Sequence, residues 1–257
     1  MKQFTDMKRT GQRITALTAY DYPTARLLDE SGIDIILVGD SVGMVVLGYE
    51  DTTSVTLAEM LHHTRAAARG VKRALLVADL PIHTYDTPEQ AVTTARQLVQ
   101  AGAQGVKLEG GASHARRIEA VVQAGIPVMA HIGMLPQSVR EEGGYRLKGR
   151  SQAEVEQLIQ DAQSVERSGA FAVVLEIVKA DAARQITDAI GIPTIGIGSG
   201  HHCDGQILVT HDLIGLFPWF TPKFVSPAAR VADQIRAAAT GFIERTRNGT
   251  MLSNRAH

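Results

Sequence analysis

Short apolar runs rich in valine and isoleucine recur along the chain, separated by longer segments with helical spacing. Most of these runs are apolar at every position rather than at alternate positions, which is typical of parallel strands buried on both faces. We interpret seven of them as strands, at residues 14–20, 33–40, 74–81, 105–110, 126–133, 171–177 and 192–198. The segments between the strands predict helices near residues 23–31, 56–69, 87–102, 112–124, 151–168 and 180–190.

Three of the predicted helices begin with recognisable capping residues. Thr87 precedes Pro88, which suits the first position of a helix. Ser151 is followed three residues later by a glutamate, which predicts a capping box. Thr56 has the same relation to Glu59. These signals place the amino ends of the helices between the predicted strands.

Regular alternation of strand and helix indicates an α/β protein with a parallel sheet. Eight repeats close such a sheet into a (β/α)8 TIM barrel, whereas seven or fewer leave an open, doubly wound sheet. The eighth strand is the difficult element: residues 205–215 are either that strand or the seventh helix, with 222–225 then forming the strand. We favour the second interpretation, because Leu208, His211 and Ile214 have helical spacing.

The length of 257 residues agrees with a barrel, because this fold typically needs about 250 residues. Two ordinary domains are the alternative at this length. No linker, low-complexity segment or shift in composition marks a boundary. We therefore predict a single (β/α)8 barrel domain over residues 1–257, with a C-terminal helix at 226–247.

Composition and charge exclude several classes of protein. The formal net charge of −1 and the aromatic content of 5% argue against a nucleic-acid partner. The single cysteine excludes a disulfide framework and favours a reducing compartment. Residues 1–13 lack the apolar core of a signal peptide, and the longest uncharged stretch, 120–139, is interrupted by glycines and prolines. We expect a cytoplasmic protein without a membrane partner.

Ionisable residues lie at or near the carboxyl ends of five successive predicted strands. In chain order they are Asp40, Asp79, Lys107 with Glu109, His131 and Glu176. In a parallel barrel these ends meet on one face, where active sites are built. A single charged residue at a strand end is as often structural as functional, but five successive strands make coincidence a poor explanation. We predict a convergent polar pocket.

The types of side chain in this pocket indicate its chemistry. Asp40, Asp79 and Glu109 offer hard oxygen ligands, which favours Mg²⁺ or another hard divalent ion over structural zinc. Such an ion acts as a Lewis acid on a carbonyl or carboxylate oxygen. Lys107 is placed to meet a substrate anion or a developing enolate oxygen. Glu176, two strands from the nearest acidic ligand, is free to act as a base.

Other polar residues are weaker candidates for a site. The glycine-rich segment 196–200 follows the seventh strand, where barrels often bind phosphate, but it lacks the spacing of a dinucleotide fingerprint. His201, His202, Cys203 and His211 offer ligands for a softer metal at a spacing that matches no standard zinc motif. We give both groups a structural interpretation.

Nine segments form an ordered set that covers most of the chain. They are TAYD (18–21), LVGDSVGM (37–44), VTLAEMLHHTRAAARG (55–70), VADLP (77–81), VKLEGG (106–111), HIGMLPQSV (131–139), GGYRLKGR (143–150), IGIGSGHHCDGQILVTHD (195–212) and PKF (222–224). This set resembles the ketopantoate hydroxymethyltransferase family. None of the motifs is sufficient alone; their order makes the resemblance specific.

The resemblance implies a (β/α)8 barrel that uses Mg²⁺ and takes 5,10-methylenetetrahydrofolate as co-substrate. It implies transfer of a hydroxymethyl group to 3-methyl-2-oxobutanoate, which gives 2-dehydropantoate in pantothenate (coenzyme A) biosynthesis through a Mg-stabilised enolate. Members of the family assemble as decamers, so the resemblance also implies a homo-oligomer of that kind.

The resemblance also assigns roles to residues. It implies that Asp40 and Asp79 are metal ligands, and that Glu109 joins them directly or through water. It implies Glu176 as the proton acceptor. The residues that it places around the keto acid are Tyr20, Asp40, Ser41, Asp79, Lys107 and His131.

Some segments depart from the family pattern. Residues 53–56 read TSVT where the family more often has a proline before Val-Thr, and residues 140–142 are unusually charged. The sequence after Phe224 also differs. We expect these departures to affect folate affinity and oligomer contacts rather than the metal and keto-acid residues.

Two other functions are compatible with a metal-binding barrel. A lyase or mutase of the phosphoenolpyruvate mutase/isocitrate lyase type also binds keto acids or enolates on Mg²⁺, but it predicts a reactive cysteine in a flexible lid. Here Cys203 lies in a glycine- and histidine-rich segment after the seventh strand. A non-catalytic barrel that binds metal and anion would make Glu176 dispensable.

Overall fold

The structure is a computed structural model and describes residues 1–249. Eight parallel strands form a closed barrel in chain order, and the last strand pairs with the first. The strands are β1 Ile14–Thr18, β2 Ile35–Val38, β3 Leu75–Asp79, β4 Gly105–Glu109, β5 Val128–Gly133, β6 Ala172–Glu176, β7 Thr194–Ile197 and β8 Gly205–Leu208. The predicted (β/α)8 TIM barrel is confirmed.

Helices follow most of the strands. They are α1 Lys2–Thr10, α2 Tyr22–Glu30, α3 Val42–Val45, α4 Leu57–Ala68, α5 Pro88–Gln100, α6 Ala115–Gln123, α7 Gln152–Arg167, α8 Ala180–Ala189, α9 Thr210–Leu213 and α10 Val231–Arg247. Short 3₁₀ turns lie at Thr52–Ser54, Ala112–His114 and Pro136–Ser138.

The predicted caps are present at the starts of α4, α5 and α7. Thr56 and Glu59 form a complete capping box on α4. The side chain of Ser151 accepts a hydrogen bond from the backbone N–H of Glu154, but the Glu154 carboxylate bonds the N–H of Arg150 instead of that of Ser151. The predicted capping box is therefore only half formed. The hydrogen bond from the Ser151 N–H to the Glu154 carboxylate is absent, because that carboxylate accepts from the residue before Ser151.

The preferred position of the eighth strand is also wrong. Residues 205–208 form β8, which pairs with β1 and with β7, and residues 222–225 form no strand. Helical spacing misled the prediction because β8 has only four residues and is followed almost at once by α9. A run this short fits either period, and only pairing with two neighbouring strands decides it.

The amino ends of the strands are covered by α1, an element that the sequence patterns did not reveal. Phe4 of α1 is 1% exposed and packs in a cluster of side chains from inside the barrel. Its ring centroid lies 5.9 Å from that of Phe171, the residue before β6. Lys8 forms an ion pair of 2.9 Å with Asp204, just before β8. Helix α1 therefore closes the barrel opposite the carboxyl ends of its strands.

Truncation of Phe4 tests this role of α1. We expect Phe4→Ala to lower the free energy of unfolding by about 3–5 kcal/mol, because it leaves a cavity among packed apolar side chains. Urea denaturation followed by circular dichroism measures the change. Leu27→Ala on α2 is the control, since Leu27 is 63% exposed, and a surface change of this kind usually costs less than about 0.5 kcal/mol. Equal costs for the two variants would contradict the proposed packing.

The described chain divides into two compact units: Met1–Leu208, which contains the whole barrel, and a second unit that begins at Val209. In the second unit α10 begins at Val231 rather than at residue 226, because Arg230 has a non-helical backbone. The single domain over residues 1–257 stays a prediction, and its last residues, 250–257, lie outside the described range. No helix in the described part of the chain is both long enough and apolar enough to cross a membrane.

Candidate active site

The carboxyl ends of β2 to β6 bring the predicted ionisable residues together. Strand register accounts for the neighbours, since Asp79 of β3 pairs with Lys107 of β4, and Glu109 of β4 pairs with His131 of β5. The buried members of the group are 2–5% exposed. Glu176 is the more accessible member, with 14% of its side chain exposed. The predicted convergence of these side chains is therefore observed, and their roles stay predictions.

Asp79 links the second, third and fourth strands at this end of the barrel. Its Oδ2 accepts a hydrogen bond of 3.0 Å from the backbone N–H of Asp40, and its Oδ1 lies 3.1 Å from Nζ of Lys107. Gly39 makes room for this contact, because a Cβ atom there would lie 2.9 Å from Ser41 Oγ and 3.5 Å from Asp79 Oδ2. A larger residue before Asp40 would crowd the centre of the pocket.

His131 lies between two carboxylates. Its Nδ1 is 3.5 Å from Glu109 Oε1, and its Nε2 is 3.2 Å from Glu176 Oε2. Gly133 lets the ends of β5 and β6 approach, because it has φ 99° and a Cβ atom there would lie 2.5 Å from the backbone oxygen of Glu176. Burial and the Lys107 ammonium lower the pKa of His131, but Glu109 and Glu176 outweigh them and raise it to about 9.

The buried carboxylates differ in their surroundings. Burial raises the pKa of Asp40 well above its ordinary value, and the charges of Asp79 and Glu109 add to the rise. Burial also raises the pKa of Asp79, although Lys107 opposes it. Burial acts in the same direction on Glu109, but His131 and Lys107 outweigh it and its pKa is lowered. Of these three groups, Asp40 is therefore the one whose charged form would be stabilised most by a nearby cation.

The pocket holds more acidic than basic groups. Burial alone would lower the pKa of Lys107, but the carboxylates of Asp79, Glu109 and Asp40 raise it above its ordinary value, so the ammonium stays charged. Lys107 and His131, whose Nζ and Nδ1 atoms lie 3.3 Å apart, are the basic groups among the four carboxyl groups of Asp40, Asp79, Glu109 and Glu176. The excess of carboxyl groups over basic groups favours binding of a cation.

The donor set fits a hard divalent ion. Within the described part of the chain, Asp79 Oδ1 and Glu109 Oε1 are buried and accept no well-aligned hydrogen bond, although Lys107 and His131 lie near them. No three histidine, cysteine, aspartate or glutamate side chains among the described residues are arranged as a complete ligand group. Mg²⁺ needs no such group, since it typically uses one or two carboxylates and takes its other ligands from water and substrate.

Tyr20 and Ser41 form a hydroxyl pair at the same end of the barrel. Tyr20 is 1% exposed, and its hydroxyl lies 2.8 Å from Ser41 Oγ. His63 of α4 holds the segment in place, because its Nδ1 lies 2.7 Å from the backbone oxygen of Tyr20. Ser41 directly follows Asp40, so the pair lies beside the carboxylates, and its contact with the keto acid stays a prediction.

Sequence reasoning missed Gln137 and Tyr85. Gln137 follows β5 and is 5% exposed, and it donates hydrogen bonds to Asp40 and Glu109. The hydroxyl of Tyr85, in the loop after β3, donates to the Gln137 side chain. Neither residue carries a charge, so a search for ionisable residues at strand ends passes over them. In the sequence, the only indication of a role for Gln137 was its position within segment 131–139, one of the segments that carry the family resemblance.

The charged residues at 140–142, where the sequence departs from the family pattern, form ion pairs within the unit Met1–Leu208. Arg140 binds Asp51 through Nε and Nη2, at 2.6 and 3.2 Å, and Glu142 pairs with Lys148. These pairs join the loop after β5 to the 3₁₀ turn near residue 52 and to the segment before α7. The departure therefore has a structural explanation.

Among the described residues, the weaker candidates include no group of three or more side chains arranged to hold a metal ion. Ser199 of the glycine-rich segment donates a hydrogen bond to the backbone oxygen of Leu175 and accepts one from the N–H of Val178. The rings of His201 and His202 contact one another in a tilted arrangement, with centroids 4.2 Å apart. Cys203 is buried, which raises its thiol pKa to about 11. A buried, protonated thiol does not suit the reactive cysteine of the lyase alternative.

Comparison with known protein sequences finds relatives that share about half of their residues with this chain. It is 52% identical to the 3-methyl-2-oxobutanoate hydroxymethyltransferase of Syntrophus aciditrophicus, over 95% of this chain and 90% of that protein. It is 50% identical to the enzyme of the same name from Clostridium novyi, over 97% and 92% of the two chains. The relative of that name in Enterococcus faecalis is also 50% identical, over 96% and 90%.

Solved structures with the same fold are more distant in sequence. A 2,3-dimethylmalate lyase of the PEP mutase/isocitrate lyase superfamily has a TM-score of 0.64 and 18% identity, and covers 100% of this chain and 90% of its own. A phosphonopyruvate hydrolase in complex with oxalate and Mg²⁺ has a TM-score of 0.65 and 14% identity, over 99% and 89%. At this identity the likeness concerns the fold alone.

A family model settles the family over nearly the whole length of the chain. The model described as ketopantoate hydroxymethyltransferase matches residues 1–251. The relatives that share about half of their residues with this chain carry the same activity in their names. The resemblance found in the ordered motifs is thereby confirmed, and the chain belongs to the ketopantoate hydroxymethyltransferase family.

Proposed function

We propose that this protein transfers a hydroxymethyl group from 5,10-methylenetetrahydrofolate to 3-methyl-2-oxobutanoate, giving 2-dehydropantoate and tetrahydrofolate. Membership in the family and the names of its relatives support the reaction. The observation that carries the proposal for the site is the contact between Glu176 and His131, beside a buried cluster with an excess of carboxylates. This arrangement supports the proposal that Glu176 acts as a base beside a metal-bound keto acid.

We propose that Asp40 and Asp79 hold Mg²⁺, and that Glu109 joins them directly or through water. The raised pKa of Asp40 and the excess of carboxylates support this assignment. When bound, the ion supplies a Lewis acid that draws electron density from the keto and carboxylate oxygens of the substrate. The carboxyl groups of Asp40 and Asp79 are buried, where the attraction between a carboxylate and a cation is stronger than at the surface.

Lys107 and Ser41 are proposed to orient the keto acid. The buried ammonium of Lys107 is held by Asp79 and stays charged, so it offsets negative charge that develops on the substrate. Ser41 offers a hydroxyl whose direction is set by Tyr20. Because both groups are fixed before substrate arrives, little reorganisation is needed on binding.

Glu176 is proposed to accept the proton from C3 of the keto acid. It lies at the end of β6, and its side chain is more accessible than the other carboxylates of the pocket. Nε2 of His131 lies 3.2 Å from Glu176 Oε2, without a well-aligned hydrogen bond, so the imidazole ring flanks the proposed base. General base catalysis of this kind typically contributes about 10²–10⁴-fold to the rate.

We also propose that the protein is a homo-oligomer, the decamer implied by the family resemblance, and that it works in the cytoplasm. A reducing compartment suits its single, buried cysteine. The exposed apolar side chains Ile235, Phe242 and Ile243 on α10 offer a surface for self-association. We expect Phe242→Glu to shift the protein to smaller species in sedimentation velocity. An unchanged distribution would exclude this part of α10 from the interface.

A reconstituted assay tests the proposed function. Purified protein is incubated with Mg²⁺, 3-methyl-2-oxobutanoate and 5,10-methylenetetrahydrofolate, and 2-dehydropantoate is measured by mass spectrometry. We expect product only when all three components are present, and none after chelation of the metal. Absence of product from folded protein would overturn the proposal, and turnover of a keto acid without folate would favour the lyase alternative.

A further inference from the structure

Gln137 occupies a central position among the carboxylates without carrying a charge. Its Nε2 donates hydrogen bonds to Asp40 Oδ2 at 2.7 Å and to the backbone oxygen of Leu80 at 3.0 Å. Its backbone N–H donates to Glu109 Oε2 at 3.0 Å. One residue of the loop after β5 therefore contacts the ends of β2, β3 and β4.

The direction of the Gln137 amide is determined by its neighbours. The backbone oxygen of Leu80 only accepts hydrogen bonds, so the group that faces it is the NH₂. On the other side the hydroxyl of Tyr85 donates to Oε1. Tyr85 is buried, and a phenol hydroxyl is protonated at neutral pH, so it can donate this hydrogen bond. The NH₂ group thus always faces Asp40.

A neutral donor at this position has a chemical consequence. An amide engages Asp40 Oδ2 without adding a positive charge, so the excess of negative charge in the pocket is preserved. A lysine or arginine in its place would neutralise that excess and compete with a metal ion. A glutamate would place a further carboxylate against Asp40. Glutamine orients the carboxylate and leaves its charge available.

We propose that Gln137 is a positioning residue that sets the carboxylates of Asp40 and Glu109 for the divalent cation, and that Tyr85 fixes its amide. This inference rests on the proposed function in one respect, the assignment of Asp40 and Glu109 to a cation site. The hydrogen bonds of Gln137 and Tyr85 are contacts between protein atoms and do not depend on that assignment. Outer-shell partners of metal ligands typically change metal affinity or activity by about 10–100-fold when they are replaced.

Binding of Mn²⁺ in place of Mg²⁺ provides a direct readout. The free Mn²⁺ signal in electron paramagnetic resonance is titrated with the protein, with and without 3-methyl-2-oxobutanoate. We expect Gln137→Leu to weaken Mn²⁺ binding by about 10–100-fold. In steady-state kinetics its KM for the keto acid should rise more than its kcat falls. A merely structural role would lower the active fraction, and hence kcat, without moving KM or the Mn²⁺ affinity of the folded protein.

Gln104→Leu is the matched control. The side chain of Gln104 also bonds a strand, through Oε1 to the N–H of Leu76, but it lies just before β4 at the opposite end of the barrel. We expect this variant to lower the thermal midpoint and leave Mn²⁺ affinity unchanged. Tyr85→Phe removes only the hydroxyl that fixes the amide, and it should weaken Mn²⁺ binding by about tenfold, at the lower end of the same range.

The outcomes separate this inference from the proposed function. Unchanged Mn²⁺ affinity in folded Gln137→Leu would overturn the inference, as would a wild-type protein that binds no Mn²⁺. If Gln137→Leu does not fold, unchanged affinity in Tyr85→Phe overturns it. Weakened Mn²⁺ binding in a protein that makes no 2-dehydropantoate would support the inference while contradicting the proposed function.

Discussion

Glu176→Gln is expected to lower the rate of 2-dehydropantoate formation by about 10²–10⁴-fold, because it removes the group proposed to accept the C3 proton. Glutamine keeps the size of the side chain and an oxygen that faces His131, so the variant should still bind the keto acid. Exchange of the C3 hydrogen for deuterium in D₂O, followed by proton NMR without folate, isolates the proton-transfer step. We expect this exchange to be lost together with turnover.

Glu156→Gln on the exposed face of α7 is the matched control, since it makes the same chemical change at an exposed position that contacts none of the proposed site residues. It should exchange deuterium at the wild-type rate. Wild-type exchange in Glu176→Gln would show that Glu176 is not the base, as expected if the barrel were non-catalytic. Loss of keto-acid binding in that variant would instead assign Glu176 to substrate binding.

Asp79→Asn is expected to abolish Mg²⁺-dependent binding of 3-methyl-2-oxobutanoate. The asparagine retains an oxygen that accepts the hydrogen bond from the N–H of Asp40, but it lacks the charge that faces Lys107. Loss of a direct ligand should weaken metal binding by more than the about 10–100-fold typical of an outer-shell change. Isothermal titration calorimetry with the keto acid, in the presence of Mg²⁺ and after chelation, measures the effect.

Asp188→Asn serves as the control for this substitution, because Asp188 lies on α8 with 69% of its side chain exposed. It should bind the keto acid like the wild type. If Asp79→Asn retains Mg²⁺-dependent binding of unchanged affinity, Asp79 is not a metal ligand, and Asp40 with Glu109 would then have to account for the site. A thermal melt of each variant separates loss of binding from loss of fold.

Much of the barrel was predictable because its strands are buried on both faces. Continuous apolar runs located β1 to β7 to within a few residues, and the capping residues located the starts of α4, α5 and α7. Strand β8 was not predictable, since four residues carry too little periodicity and its pairing with β1 is a contact between distant parts of the chain. Helix α1 was missed because Phe4 is its only buried residue.

The residues of the candidate site also divide into those that the sequence indicated and those that it did not. Charged residues at strand ends are visible in a sequence, because burying them is costly and therefore uncommon. Gln137 and Tyr85 were not visible, since a neutral residue in a loop carries no such signal. Their importance depends on hydrogen bonds to Asp40 and Glu109, which are distant from them in the chain.

The sequence by itself determined the fold class, the face of the barrel that carries the chemistry and, through its ordered motifs, the family. These follow from local periodicity and from the rule that parallel strands present their carboxyl ends on one face. Only the tertiary structure decided the closing strand, the helix that covers the opposite end and the partners of each buried charge. Those properties depend on distances between segments far apart in the chain, such as the 3.2 Å between His131 and Glu176.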